Sequence, residues 1–418
     1  MVKDKAKDKK GPPGPKPLTY GFFLFLARLL FKLLYAIRFE RDPRISRGTG
    51  PYFMVANHIA YVDPIICALA FPHQRIRFVS GQEVANTPFL RPLLKRFGII
   101  EIKPFRVNFS TTKEIITSIA AGHSVALYPE TQRSMAGDIT PFGLATAKLI
   151  RHLKAPVALA LCRGGYLGWP RWSKLLRPGK MEVETRLLLT AEEAAALPVE
   201  EIQGRLVRAL DVDDYSWQTE RRRPARFFSR RRAEKVSSVC HWCPVCDQPF
   251  ALRSHKQFLY CSACDLRLRM DATGFFAASP GSPAPFDHPL QLATWQRKRL
   301  AEYMESGQTL TSSCRLSFLE NVGIGPDPEE KELTGSLCLQ SDGLIFQAEG
   351  DGRIIRLEIG QTPSLYCSPG AYVNLAEEEV IWRAYPEEEG YVALLTDFSR
   401  QVWLGDNPFQ EYRRDPEA

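Results

Sequence analysis

The sequence lacks the Gly-x-Ser-x-Gly elbow that presents a serine nucleophile at a strand-to-helix turn, which removes the usual route to a covalent serine intermediate. It also lacks an uninterrupted membrane-length apolar run. Residues 18–37 are long enough to cross a bilayer, but Arg28 and Lys32 interrupt them. Each such cation near a membrane centre costs about 2.5–3.5 kcal/mol. No small-residue cleavage site follows, so a signal peptide is not expected. Arg28 and Lys32 lie four apart on one helical face, which suits a helix lying in the interface with its cations towards phosphates. Cysteine is too sparse for a disulfide framework. There are ten in 418 residues, and four form two Cys-x-x-Cys pairs, a pattern that fits a metal site in a reducing compartment better than secretion.

At 418 residues and 44% hydrophobic content, two or three domains with real cores are expected. The net charge of +8 is uneven: residues 1–17 hold six lysines against two aspartates, whereas residues 377–389 hold six glutamates against Arg383. The divisions predicted are a disordered basic tail (1–17), an interfacial anchor helix (18–40), an α/β domain (41–218), an Arg-rich linker (219–238), a Cys-rich segment (239–278), a Pro-rich linker (279–289) and a small β-rich domain (290–418).

In the α/β domain strands alternate with helices, among them helices expected at 87–97 and, bent near Pro198, at 191–210. The domain contains two polar turns that each follow an apolar strand signal. In the first, Val-Ala-Asn57-His58-Ile-Ala-Tyr-Val-Asp63 precedes Pro64 and an apolar helix signal. Asp63 is a natural N-cap with Pro64 at the first helical position. An aspartate that accepts from one imidazole nitrogen of His58 fixes the tautomer, and the other nitrogen can then take a proton from a hydroxyl. The second turn, Tyr128-Pro129-Glu130-Thr131-Gln132-Arg133-Ser134, places Glu130 and Arg133 at a strand's C-terminal end, where open α/β sheets keep their ligand sites.

Together these turns resemble the glycerolipid acyltransferase superfamily. Asn57, His58 and Asp63 match its first motif, and Tyr128, Pro129, Glu130, Arg133 and Ser134 its third, with Thr131-Gln132 where the family has Gly-Thr. Residues 155–160, an apolar strand carrying Pro156, resemble the fourth. The second motif is met only partly by residues 98–104: Pro104 stands at the family's arginine position, so Lys103 or Arg106 would have to assist. The resemblance covers residues 18–218. It implies a layered domain with a mainly parallel sheet, an acyl-CoA or acyl carrier protein donor, and a lysophospholipid acceptor such as 1-acylglycerol-3-phosphate. In that scheme His58 is the general base and Asp63 its orienter. Asn57, Lys103, Arg106, Glu130, Arg133 and Ser134 serve the acceptor: Arg133 pairs with its phosphate, and Glu130 orients Arg133 or the acceptor. A phosphate-free lysolipid is the alternative acceptor.

Residues 220–235 hold seven arginines and one lysine around Phe227-Phe228, a composition suited to an anionic membrane surface. The expected location is the cytoplasmic face of the inner or cell membrane. Cys243, Cys246, Cys261 and Cys264 resemble a zinc ribbon, a structural site with four thiolates, while Cys240 and His241 compete as ligands. After a helix at 291–305, seven short β runs with turn signals, the last two at 391–395 and 402–404, predict a small all-β domain weakly similar to pleckstrin-homology-like domains, with no identifiable protein partner. The rival reading is a non-catalytic membrane-surface protein that binds nucleic acid or protein through the Arg-rich linker and ribbon. Nucleic acid is not the favoured partner, because the ribbon segment is not strongly basic.

Overall fold

The computed structural model describes residues 12–81, 88, 91–106, 108–322, 328–350 and 352–413, which contain three sheets. The first comprises β1 (Tyr35–Glu40), β2 (Phe53–Ala56), β3 (Ile76–Gly81), β4 (Ile100–Ile102), β5 (Ser124–Leu127), β6 (Val157–Arg163) and β7 (Gly179–Leu189), in the order β1-β7-β6-β2-β5-β3-β4. Neighbours are parallel except β6 and β7, so β7 and β1 run against the other five. The sheet is mostly parallel and mixed.

β2 is central, and every residue of it is buried. Its alternation divides the core: Met54 and Ala56 pack in one cluster with α1 (Pro17–Leu34) and α2 (Asp63–Ala70). Phe53 and Val55 pack in the other with helices Phe109–Ala120, Ala145–Leu153 and Val199–Leu210. A strand covered on both faces needs a continuous apolar run, which β2 has.

Several expectations are corrected. The expected tail lies outside the described residues as far as residue 11, but residues 12–16 are ordered: Pro15 is buried, and Lys16 N donates to Arg96 O at 3.0 Å. The anchor helix ends at Leu34 rather than 40. Tyr35, Ile37 and Phe39 then alternate inward with period two, which suits the edge strand β1. The helix expected from residue 87 is described as Arg91–Arg96, its start lying outside the described residues. The helix expected at 191–210 with a bend near Pro198 is two helices, Ala191–Ala196 and Val199–Leu210, parted at that proline. The Arg-rich segment is not a free linker: Phe227 N donates to Ala272 O, and Arg232 bonds Met270 O and Gln257. Phe227 is buried there and cannot enter a membrane with Phe228, which is 62% exposed.

The second sheet, β8 (Leu252–His255), β9 (Phe258–Cys261), β10 (Arg267–Met270) and β11 (Phe276–Ala278), is an antiparallel meander in the order β11-β10-β9-β8. Helix Pro289–Glu305 leads from it to the third sheet, which comprises β12 (Leu310–Asn321), β13 (Glu332–Gln340), β14 (Gly343–Ala348), β15 (Ile354–Leu357), β16 (Cys367–Ser368), β17 (Tyr372–Glu377) and β18 (Val380–Pro386). This sheet is antiparallel in the order β15-β14-β13-β12-β18-β17-β16, and a bridge from Glu358, just after β15, to Ala376 of β17 links one end to the strand next to the other. The unit is not all-β. Residues 391–395 and 402–404, expected as strands, lie in helix Tyr391–Asp406, where Tyr391, Leu394, Leu395 and Phe398 recur at helical spacing on the core.

Candidate functional site

The site is built where β2 and β5, parallel neighbours, end on the same edge of the sheet. Beyond β2 the chain turns through residues 57–62 into α2. Asp63 is the first residue of α2, not its cap, and its carboxylate faces back into the turn. Oδ2 accepts from Ile59 N at 2.7 Å and Ala60 N at 2.9 Å, and lies 2.9 Å from His58 Nδ1. The Nδ1–H tautomer suits this contact and leaves Nε2 as the basic nitrogen. The imidazole stacks on Tyr128, ring centroids 4.5 Å apart. Burial pushes the His58 pKa below its ordinary 6.5; Asp63 opposes that shift, and the charges of Arg133 and Arg171 add to it. The ring is therefore a neutral base at neutral pH.

Asn57 is buried and spends its side-chain amide on the backbone of Cys162. Its Nδ2 donates to Cys162 O at 2.8 Å, and its Oδ1 accepts from Cys162 N at 2.9 Å, tying the ends of β2 and β6 together.

Glu130 also departs from its expected role. It does not orient Arg133: Oε1 accepts from His58 N at 2.8 Å and Oε2 from Thr140 N at 2.9 Å, so it ties the two turns together. Burial pushes its carboxyl up to about 8, against the pull of both backbone donors. Ser134 completes the tie: its N–H donates to His58 O at 2.9 Å, and its Oγ accepts from Gly137 N.

Arg133 lies under the Tyr61 ring, Cζ 3.4 Å from the centroid, and its buried Nη1 has no hydrogen-bond partner. That orphaned donor beside His58 is the feature most suited to an anionic ligand. Arg106 is not at the site. It donates to Asn321 O at 2.9 Å and lies 3.5 Å from Glu320, both on β12. Lys103 is exposed past β4, the far edge strand, where its backbone pairs with the Asn108 side chain.

Sequence reasoning missed Tyr61 and Arg171. Buried Arg171 donates to Arg133 O at 2.9 Å, to Gln132 Oε1 at 2.8 Å and to Cys367 O of β16 at 2.6 Å. The signal available was the departure at Gln132, which supplies an acceptor that the family's glycine or threonine pattern does not. Tyr61 was legible as an aromatic inside the His-to-Asp turn.

Four cysteines converge at the second sheet: Cys243 and Cys246 ahead of β8, Cys261 at the end of β9 and Cys264 after it. Cys243 and Cys264 Sγ are 3.6 Å apart, Cys246 and Cys261 Sγ 3.7 Å apart, and all four lie within 4.8 Å of one another. A tetrahedral ion with about 2.3 Å metal–sulfur bonds needs sulfurs about 3.8 Å apart, so the set could hold a metal ion. Cys240 is outside it, its thiol facing Pro289 O at 3.6 Å. His241 is buried against Phe250, both ring nitrogens unpartnered, and burial pushes its pKa down to about 3.

A family model described as Acyltransferase matches residues 26–159, a span that includes both turns. The solved structure of the 1-acyl-sn-glycerophosphate (LPA) acyltransferase PlsC from Thermotoga maritima is similar at 18% identity and a TM-score of 0.35, over 40% of this chain and 67% of that one. No curated protein matches. Residues 26–159, with the His-Asp and Glu-Arg turns inside that span, therefore match an acyltransferase domain.

Proposed function

We propose that the protein is a membrane-associated acyltransferase that moves a fatty acyl group from acyl-CoA or acyl carrier protein to the hydroxyl of a lysophospholipid such as 1-acylglycerol-3-phosphate. The observation that carries this reading is the His58 Nδ1 to Asp63 Oδ2 pair at 2.9 Å, with Arg133 beside it. Nε2 of His58 takes the hydroxyl proton as the oxygen attacks the thioester carbonyl, and Asp63 holds the ring and stabilises the imidazolium. The collapsing intermediate expels the thiol, and no covalent acyl-enzyme forms. Arg133 meets the acceptor's phosphate through its unpartnered Nη1 once Tyr61 makes room.

The outward face of α1 supports membrane association. Leu18, Phe22, Phe25, Leu26, Leu29 and Leu33 are exposed there, Leu18 by 90% and Leu33 by 82%, while Tyr20, Ala27 and Phe31 pack inward. Exposed Arg28 and Lys32 suit anionic headgroups. The cysteine set is read as a structural zinc ribbon: four protein thiolates leave no open position for substrate. The strand order of the third sheet and its C-terminal helix support a pleckstrin-homology-like arrangement.

A second reading keeps the chemistry and gives the enzyme a phosphate-free acceptor. It is favoured by Pro104 in place of the family's arginine and by Arg106 being engaged on β12. Detergent-purified protein supplied with labelled acyl-CoA or acyl carrier protein and a panel of phosphorylated and neutral lysolipids separates the two. His58→Ala is expected to lower kcat by about 10²–10⁴-fold. Full activity in that variant would sink the mechanism, and silence across the panel would favour the non-catalytic reading.

A further inference from the structure

Both backbone hydrogen-bonding groups of His58 are held by one irregular turn, residues 128–144. His58 N–H goes to Glu130, and His58 C=O receives Ser134 N–H. Glu130's other oxygen takes Thr140 N–H, so the spacing between residues 130 and 140 fixes where His58 sits. Such a turn, without helix or strand of its own, needs to be pinned from outside.

The pin is Asp138. Its Oδ2 lies 2.8 Å from Arg297 Nη1, on helix Pro289–Glu305, and 2.9 Å from Arg400 Nη1, on helix Tyr391–Asp406. Arg297 also reaches Asp397 of the second helix, Nε to Oδ1 at 2.8 Å. The four side chains are at most 17% exposed, and two cations balance two anions. Burial opposes ionisation of Asp138, but the two guanidiniums hold its carboxyl well below the usual range. Removing one partner of such a buried set is costly because it strands the others. Met135 and Ala136 of the same turn pack into the core of the cysteine-bearing sheet.

We infer that Asp138 is a positioning residue for His58, and that the C-terminal half of the chain, through Arg297 and Arg400, sets the geometry of the acyltransferase site. Asp138 touches neither ring nor substrate; it acts through Thr140 and Glu130. The same helix carries Arg299, whose guanidinium grips Asp247 at 2.6 Å, one residue after Cys246. The cysteine cluster and the His58 turn are therefore two ends of one line of contacts.

The kinetic arm of the test rests on the acyltransferase reading, and the structural arm does not. Full-length Asp138→Asn is compared with wild type and with Glu389→Gln. The latter breaks a different tie of the C-terminal unit, to Lys235 at 2.7 Å and the Ser237 hydroxyl. Amide exchange at His58 and Thr140 is expected to quicken about tenfold or more in Asp138→Asn and to stay at the wild-type rate in Glu389→Gln. kcat is expected to fall about ten- to a hundredfold in Asp138→Asn, with donor and acceptor KM within about twofold, and to hold in Glu389→Gln. If Asp138→Asn does not fold, Arg297→Lys decides, because it keeps the charge but loses the fork that spans Asp138 and Asp397; an intermediate loss is expected. Unchanged exchange in either Asp138→Asn or Arg297→Lys overturns the inference, as does an equal loss in Glu389→Gln. If wild type transfers no acyl group, the functional reading falls, and the exchange rates alone settle the role of Asp138.

Discussion

Asp63 serves a turn and a ring with one oxygen, because Ile59 N–H, Ala60 N–H and His58 Nδ1 all converge on Oδ2. A carboxylate held by two backbone donors cannot swing away, which keeps the imidazole in one orientation. The lowered pKa of His58 has a readable sign. Protonation removes the base, so kcat/KM should fall as pH drops, with its midpoint below the ordinary 6.5. A pH–rate profile checks this, and Arg133→Gln, which removes one of the nearby positive charges, should move the midpoint upward. Glu130→Gln keeps the shape but turns one acceptor into a donor facing a backbone N–H. A loss of about ten- to a hundredfold in kcat is expected, with metal content unchanged. That the turns of Glu130 and His58 meet was legible in the sequence, but the partners of Glu130 were not, because they are backbone groups that no side-chain pattern announces.

At the scale of elements, α1 carries two faces. Tyr20 packs edge-on to Phe97 and Phe31 lies beside Tyr35, while the opposite row faces out. Burying one Leu or Phe contributes about 1.5–3 kcal/mol, so Phe25→Glu with Leu29→Glu should weaken binding to anionic vesicles by at least about a hundredfold. The melting temperature should stay near that of wild type, since both residues are exposed, and co-sedimentation with calorimetry reads both quantities. Gly164, at the end of β6, has φ +85°, and a Cβ there would come within 2.5 Å of Lys180 O. Gly164→Ala should destabilise the fold by about 1–3 kcal/mol in denaturant titration. Helices and strands with a clean period were readable, among them β2, β6 and helix Pro289–Glu305. β1 was not, because its apolar residues run on directly from α1 with no turn residue between.

For the whole molecule, the cysteine cluster is expected to hold its sheet by the metal more than by its core. A chelator should expose four thiols to a colorimetric reagent and lower the melting temperature of that unit, and added zinc should reverse both. The third sheet reaches the acyltransferase part through Cys367 O on Arg171, Asn321 O on Arg106 and Tyr366 beside Phe105, 5.4 Å between ring centroids. These contacts join residues roughly 200 or more apart in sequence, as Arg171 with Cys367 illustrates at a separation of 196. No local pattern carries such pairings.

The sequence by itself determined the acyltransferase motifs, the His58–Asp63 pair and the two cysteine pairs, since each depends on short spacing: five residues make one turn, and Cys-x-x-Cys makes one knuckle. Tertiary structure decided the rest. It turned Glu130 and Asn57 into backbone ties, took Arg106 away to β12, and brought Arg171 from beyond β6 and Arg297 from the C-terminal half to the turn beside His58. A long, flexible cation can serve any of several partners, and which one it meets is set by how sheets and helices pack around it, not by its neighbours in the chain.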